Sequence, residues 1–139
     1  MIQKSNITVR YGETDQMGIA HHSNYAVWFE VARTDYIKNA GISYTDVEKE
    51  GIIMPLSELT CKYRQASFYE DELTIFAKVT KLTPVRVVFS YEVIRESTDT
   101  LIATGTTTHG FVSKELVPVN MKKNFPEIYN LFLSSLESC

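Results

Sequence analysis

A chain of 139 residues is long enough to bury one good core, and its 44% hydrophobic and 22% charged content is ordinary for a folded protein. With a net charge of −3, nothing in the bulk electrostatics favours nucleic acid or an anionic membrane, while a local cationic patch could still hold one phosphorylated ligand. Two cysteines, Cys61 and Cys139, form no disulfide framework or zinc spacing, and no apolar run approaches the ~20 residues of a membrane span. These totals predict a single cytoplasmic domain over residues 1–139, with no nucleic-acid partner.

In chain order, Ile7, Val9 and Tyr11 alternate with polar residues and predict a first strand from Ile2 to Tyr11. The next stretch, Tyr11 to Tyr25, packs two acids, two adjacent histidines and two glycines between strand and helix. From Asn24 the period changes. Tyr25, Trp28, Phe29, Ala32, Tyr36 and Ala40 fall at helical spacing, with Ser23 or Asn24 as the expected cap and Gly41 as the stop. The first turns of this helix are apolar all round, so enclosure on several sides is expected.

One further helical turn is expected near Ser43 to Gly51, and then strands: Ile52 to Arg64, a run with Leu73, Ile75, Ala77 and Val79 on one face, a run with Val87, Phe89, Tyr91 and Val93 together, and Leu101 to Ser113. Thr83-Pro84 and Ser97 to Thr100 mark reversals, so the last three should form an antiparallel meander. A terminal helix opening near Asn124 and running to Leu136 carries Phe125, Ile128, Tyr129 and Phe132 as its apolar face. A long sheet after one early buried helix reads as α+β, with the sheet wrapped around the helix. Its exposed edges predict self-association.

The pattern R-Y-x-E-T-D-x-x-G-x-x-x-H-x-x-Y-x-x-W-F-E, from Arg10 to Glu30, resembles the signature of hotdog-fold acyl-CoA thioesterases of the 4-hydroxybenzoyl-CoA thioesterase/YbgC group. The similarity extends through the Tyr63-x-x-x-Ser67-x-x-x-Asp71 segment and the meander. It implies a five- or six-stranded antiparallel sheet around a long helix, a homodimer or homotetramer with sites at the interface, and hydrolysis of CoA or acyl carrier protein thioesters without a cofactor or metal.

On that resemblance Asp15 matches the catalytic carboxylate, as nucleophile or as general base for water, against the plainer role of an acid holding turn amides. The amide of His22 matches the oxyanion donor, with its ring as an aid. Gly18 would let the loop approach the substrate, and Tyr25 would border the site. Glu13 would hold the loop or an arginine, and His21 has no assigned role. Lys81 and Arg86 would bind the CoA phosphates, with Lys122 and Lys123 a weaker option. Ile19, Trp28 and a second chain's Met54 to Leu59 would line the acyl pocket. A hotdog dehydratase or hydratase, and a non-catalytic acyl-CoA-binding protein, are the competing readings.

Overall fold

The computed structural model describes residues 1–137, so Cys139 lies outside the described residues. The elements are β1 (Gln3–Thr8), a 3-10 turn (Tyr11–Glu13), α1 (Ser23–Asn39), α2 (Tyr44–Lys49), β2 (Ile52–Ile53), β3 (Leu56–Tyr63), β4 (Glu72–Thr83), β5 (Arg86–Arg95), β6 (Thr100–Gly110), β7 (Val112–Ser113), α3 (Met121–Asn124) and α4 (Pro126–Glu137). Five strands make one antiparallel sheet in the order β1-β4-β5-β6-β3, and β2 pairs with β7 separately. This is the predicted α+β arrangement.

Strand periodicity puts one row of side chains on the face covered by α1. Leu73, Ile75, Ala77 and Val79 of β4 and Val87, Phe89, Tyr91 and Val93 of β5 are all buried there. From α1, Tyr25, Trp28, Phe29, Ala32, Tyr36 and Ile37 pack down onto that row. Each large side chain fully buried this way contributes roughly 1.5–3 kcal/mol. Phe29 stacks on Tyr91 with ring centroids 4.4 Å apart. The Tyr36 hydroxyl donates to Ser135 Oγ at 2.7 Å, tying α1 to α4.

Several boundaries differ from the sequence reading, each for a local reason. β1 stops at Thr8, and Tyr11 turns outward into the 3-10 turn, 76% exposed. The expected strand from Ile52 to Arg64 breaks at Pro55, because β2 belongs to the small sheet with β7 and β3 to the large one. The predicted Leu101 to Ser113 strand divides likewise at Phe111. The terminal helix is two helices: of the expected caps, Asn124 or another short residue, it is Asn120 that caps α3 by accepting from Lys123 N at 3.0 Å, and Pro126 begins α4.

The first turns of α1 are not enclosed all round within one chain. Ala26 is exposed, and Val27 and Val31 are 51% and 39% exposed. β3 is an uncovered edge as well, with Leu56, Leu59 and Tyr63 open to solvent.

Candidate active site

The segment after β1 is built around Glu13. Its carboxylate is 7% exposed; Oε1 accepts from Arg10 N at 2.7 Å and Oε2 from Trp28 Nε1 at 3.0 Å. Its carbonyl accepts from His21 N and from Asn24 Nδ2, both at 2.8 Å. One residue thus ties the turn, the loop and α1 together. Burial pushes the Glu13 carboxyl up, but the hydrogen bonds from Arg10 N and Trp28 and the nearby Arg10 guanidinium outweigh it, and the net shift is downward.

A carboxyl whose folded pKa is depressed stabilises the fold above its unfolded pKa, and that contribution fades as pH falls through the folded value. Glu13→Gln is therefore expected to cost about 1–3 kcal/mol at neutral pH. In urea unfolding, the gap between variant and wild type should narrow as the pH falls below the carboxylate range. A gap independent of pH would show that the charge contributes nothing.

Asp15 opens a tight reversal. Asp15 Oδ1 accepts from Met17 N at 2.8 Å, Gly18 N donates to Asp15 O at 2.9 Å, and Asp15 N donates to Ile19 O at 3.0 Å. Gly18 has φ +80°, a left-handed conformation that glycine adopts without the Cβ penalty. The turn role weighed for Asp15 is therefore real, and it also aims the half-buried carboxylate into a cleft.

That cleft, about 270 Å3, is lined by Asp15, Met17, Ile19, Ala20, His22, Tyr25, Tyr63, Arg64, Gln65 and Ala66. A larger hollow of about 590 Å3 between the end of α1, α2 and α4 holds none of the predicted residues, and its charged lining is solvent-exposed. The residues singled out from the sequence gather at the smaller cleft.

The head of α1 is organised differently from the predicted Ser23 or Asn24 cap. His22 holds the cap position without a side-chain hydrogen bond, and beside it His21 Nδ1 accepts from Ser23 N at 3.2 Å and lies 2.8 Å from Ser23 Oγ. Asn24 instead reaches back to the carbonyls of Glu13 and His21. Asn24 N donates to His21 O and Tyr25 N to His22 O. Among the described residues no acceptor takes the His22 amide, while the three amides after it are spent. An unspent N–H at a helix head, beside a carboxylate in one cleft, is suited to an oxyanion.

The opposite wall is the segment from Tyr63 to Asp71. Ser67 is fully buried; its carbonyl accepts from Ala20 N at 2.8 Å and its hydroxyl lies 3.0 Å from Tyr25 OH. Arg95 pairs with Asp71 at 3.0 Å and also donates to Ala66 O. The Tyr63 hydroxyl donates to His22 O at 3.3 Å.

Asp15, His22, Tyr25 and Ile19 thus meet in one cleft, with Gly18 in the adjoining turn. Trp28 does not line it; its ring is buried and its Nε1 is committed to Glu13. Lys81 and Arg86 lie at the far end of β4 and β5. The eight residue steps along β4 from Leu73, at the cleft end, to Lys81 span about 27 Å. Tyr63, Arg64, Gln65 and Ala66 are wall residues to which sequence reasoning gave no role, although the Tyr63-x-x-x-Ser67-x-x-x-Asp71 spacing marked their segment. Arg64 has no ion pair among the described residues. No group of three or more His, Cys, Asp and Glu among the described residues could hold a metal ion, and no described helix is long and apolar enough to cross a membrane.

Residues 17–102 match the thioesterase superfamily. YneP of Bacillus subtilis, named as a candidate acyl-CoA thioesterase, is 33% identical over 94% of this chain and 95% of its own. The crystal structure of a DHNA-CoA thioesterase from Staphylococcus aureus has a TM-score of 0.91 at 36% identity, covering 96% of this chain and 89% of that one. A hypothetical protein of Thermus thermophilus has a TM-score of 0.86 at 32% identity, covering 96% and 98%.

Proposed function

This chain belongs to the thioesterase superfamily and is a thioester hydrolase, and we propose on that premise that it cleaves acyl-CoA in the Asp15 cleft. The observation that carries the reading is the pairing of a carboxylate with an unspent helix-head amide on the walls of one cleft.

With Oδ1 steadied by Met17 N, the Asp15 carboxylate takes a proton from water as the water oxygen bonds to the thioester carbon. The carbonyl oxygen, now negative, accepts from His22 N–H. Collapse breaks the carbon–sulfur bond, and the departing CoA thiolate takes the proton from Asp15. The products are the free acid and CoA thiol. In the other route a carboxylate oxygen of Asp15 attacks the carbon itself, and water hydrolyses the resulting anhydride. Single turnover in 18O-labelled water separates them, because only anhydride hydrolysis can leave label in the Asp15 side chain.

The site is shared between two chains. Antiparallel pairing of β3 with its copy across a two-fold axis removes the exposed edge and covers Leu56 and Leu59. Such pairing reverses end for end, so the partner's β4–β5 hairpin comes to the end of the combined sheet that carries this chain's Asp15. Lys81 and Arg86 therefore serve the partner's site, and Arg64 is the cation each chain offers its own. A pair of such dimers gives the tetrameric form.

The reading is tested by thiol release from a panel of acyl-CoA and acyl carrier protein thioesters, with light scattering alongside. Turnover of CoA thioesters by a dimer or tetramer is expected. A protein that hydrolyses none of the panel overturns the reaction. A monomer at micromolar concentration that remains fully active overturns the shared site. Loss of water from a 3-hydroxyacyl-CoA without thiol release would instead make it a dehydratase, and tight acyl-CoA binding without turnover a binding protein.

A further inference from the structure

Behind the cleft, the seam between α1 and the inner side of β3 and β6 can be followed level by level. At the mouth Tyr25 and Tyr63 meet edge to face, with centroids 5.0 Å apart. One helical turn on, Phe29 is wholly buried and lies flat on Tyr91, 9° from parallel. Its edge rests on Gly105, where an added Cβ would come within 2.6 Å of Phe29 Cε2 and Cζ and within 2.6 Å of Thr60 O. The ring therefore fills the seam where β6 meets β3.

The next level is polar. Arg33 Nη1 donates to Tyr91 OH at 3.2 Å, and Tyr91 OH lies 2.6 Å from Thr107 Oγ1. His109 is buried beside them, its Nδ1 facing Met54 O at 3.2 Å. Arg33 Nε and His109 Nε2 are buried without a partner. A saturated chain moving past Phe29 would have to displace a buried ring held between Tyr91 and Gly105. It would then lay methylenes against a buried guanidinium.

We infer that Phe29, seated on Gly105 and stacked on Tyr91, is the stop that sets acyl length, so that the enzyme takes compact acyl groups and discriminates against long saturated chains. The inference rests on placing thioester hydrolysis in the Asp15 cleft. On this chain's side of the site, Tyr25 and Tyr63 give the cleft flat aromatic walls.

The test compares kcat/KM for benzoyl-CoA, butanoyl-CoA, octanoyl-CoA and palmitoyl-CoA in wild type and Phe29→Leu, with the unfolding midpoint read alongside. Leucine keeps an apolar filling and folds more surely than alanine would there. Wild type should favour benzoyl-CoA and butanoyl-CoA at least tenfold over the two longer chains. Phe29→Leu should raise the octanoyl-to-benzoyl ratio about tenfold.

Titration with the thioethers S-benzyl-CoA and S-octyl-CoA reads the same selection in binding alone. If turnover is absent while the binding ratio still shifts in Phe29→Leu, hydrolysis falls and the stop stands. Palmitoyl-CoA turned over as fast as benzoyl-CoA by wild type overturns the stop. So does a folded Phe29→Leu protein with both ratios unchanged.

Discussion

Asp15→Asn is expected to lower kcat about 10²–10⁴-fold with little change in KM or in thermal midpoint. The amide oxygen of asparagine can still accept from Met17 N, which Asp15 Oδ1 does at 2.8 Å, so the reversal through Gly18 keeps its geometry. What the substitution removes is the basic and nucleophilic oxygen. Asp15→Ala removes the turn hydrogen bond as well, and it should lose both turnover and some order in the loop. The contrast separates the two roles that one side chain combines. Asp15→Asn enzyme with turnover near wild type would reduce Asp15 to a turn residue and return the chemistry to another group.

The largest effect on stability is expected at Gly105, where alanine should cost about 3 kcal/mol in urea unfolding. An added methyl meets both the Phe29 ring and Thr60 O at 2.6 Å. The ring could shift only by unstacking from Tyr91, and the carbonyl belongs to β3, whose Thr60 pairs with Thr106. Combining Gly105→Ala with Phe29→Leu should recover part of the loss, since it relieves the ring contact but not the backbone one. Full additivity of the two substitutions would mean that the residues are not in the contact described.

Much of this molecule was legible because its strands and its first helix carry clean periods. Leu73 to Val79 and Val87 to Val93 alternate without interruption, and both rows are buried as the alternation requires. The loop drew notice for a different reason: its acids, glycine and histidine stand at the spacing of a family signature, and the resemblance supplied the roles expected of them. The helix cap was misread because three adjacent short polar side chains compete for one role, and His21, the residue given none, reaches Ser23 N. Trp28, expected at the pocket, is absent from this chain's cleft lining, because helical spacing gives a face but not what lies opposite it, which here is the Glu13 carboxylate.

By itself, then, the amino-acid sequence determined the α+β class, the helix that the sheet covers and the position of Asp15 and His22 at that helix's head. Those depend on residues near each other in the chain, where local periodicity and turn chemistry decide the outcome. Only the tertiary structure decided the far wall of the cleft at Tyr63 to Ala66, the distance that removes Lys81 and Arg86 from their own chain's site, and the contact of Phe29 with Gly105. Each of these rests on strand register and on the packing of segments tens of residues apart, which no local pattern encodes.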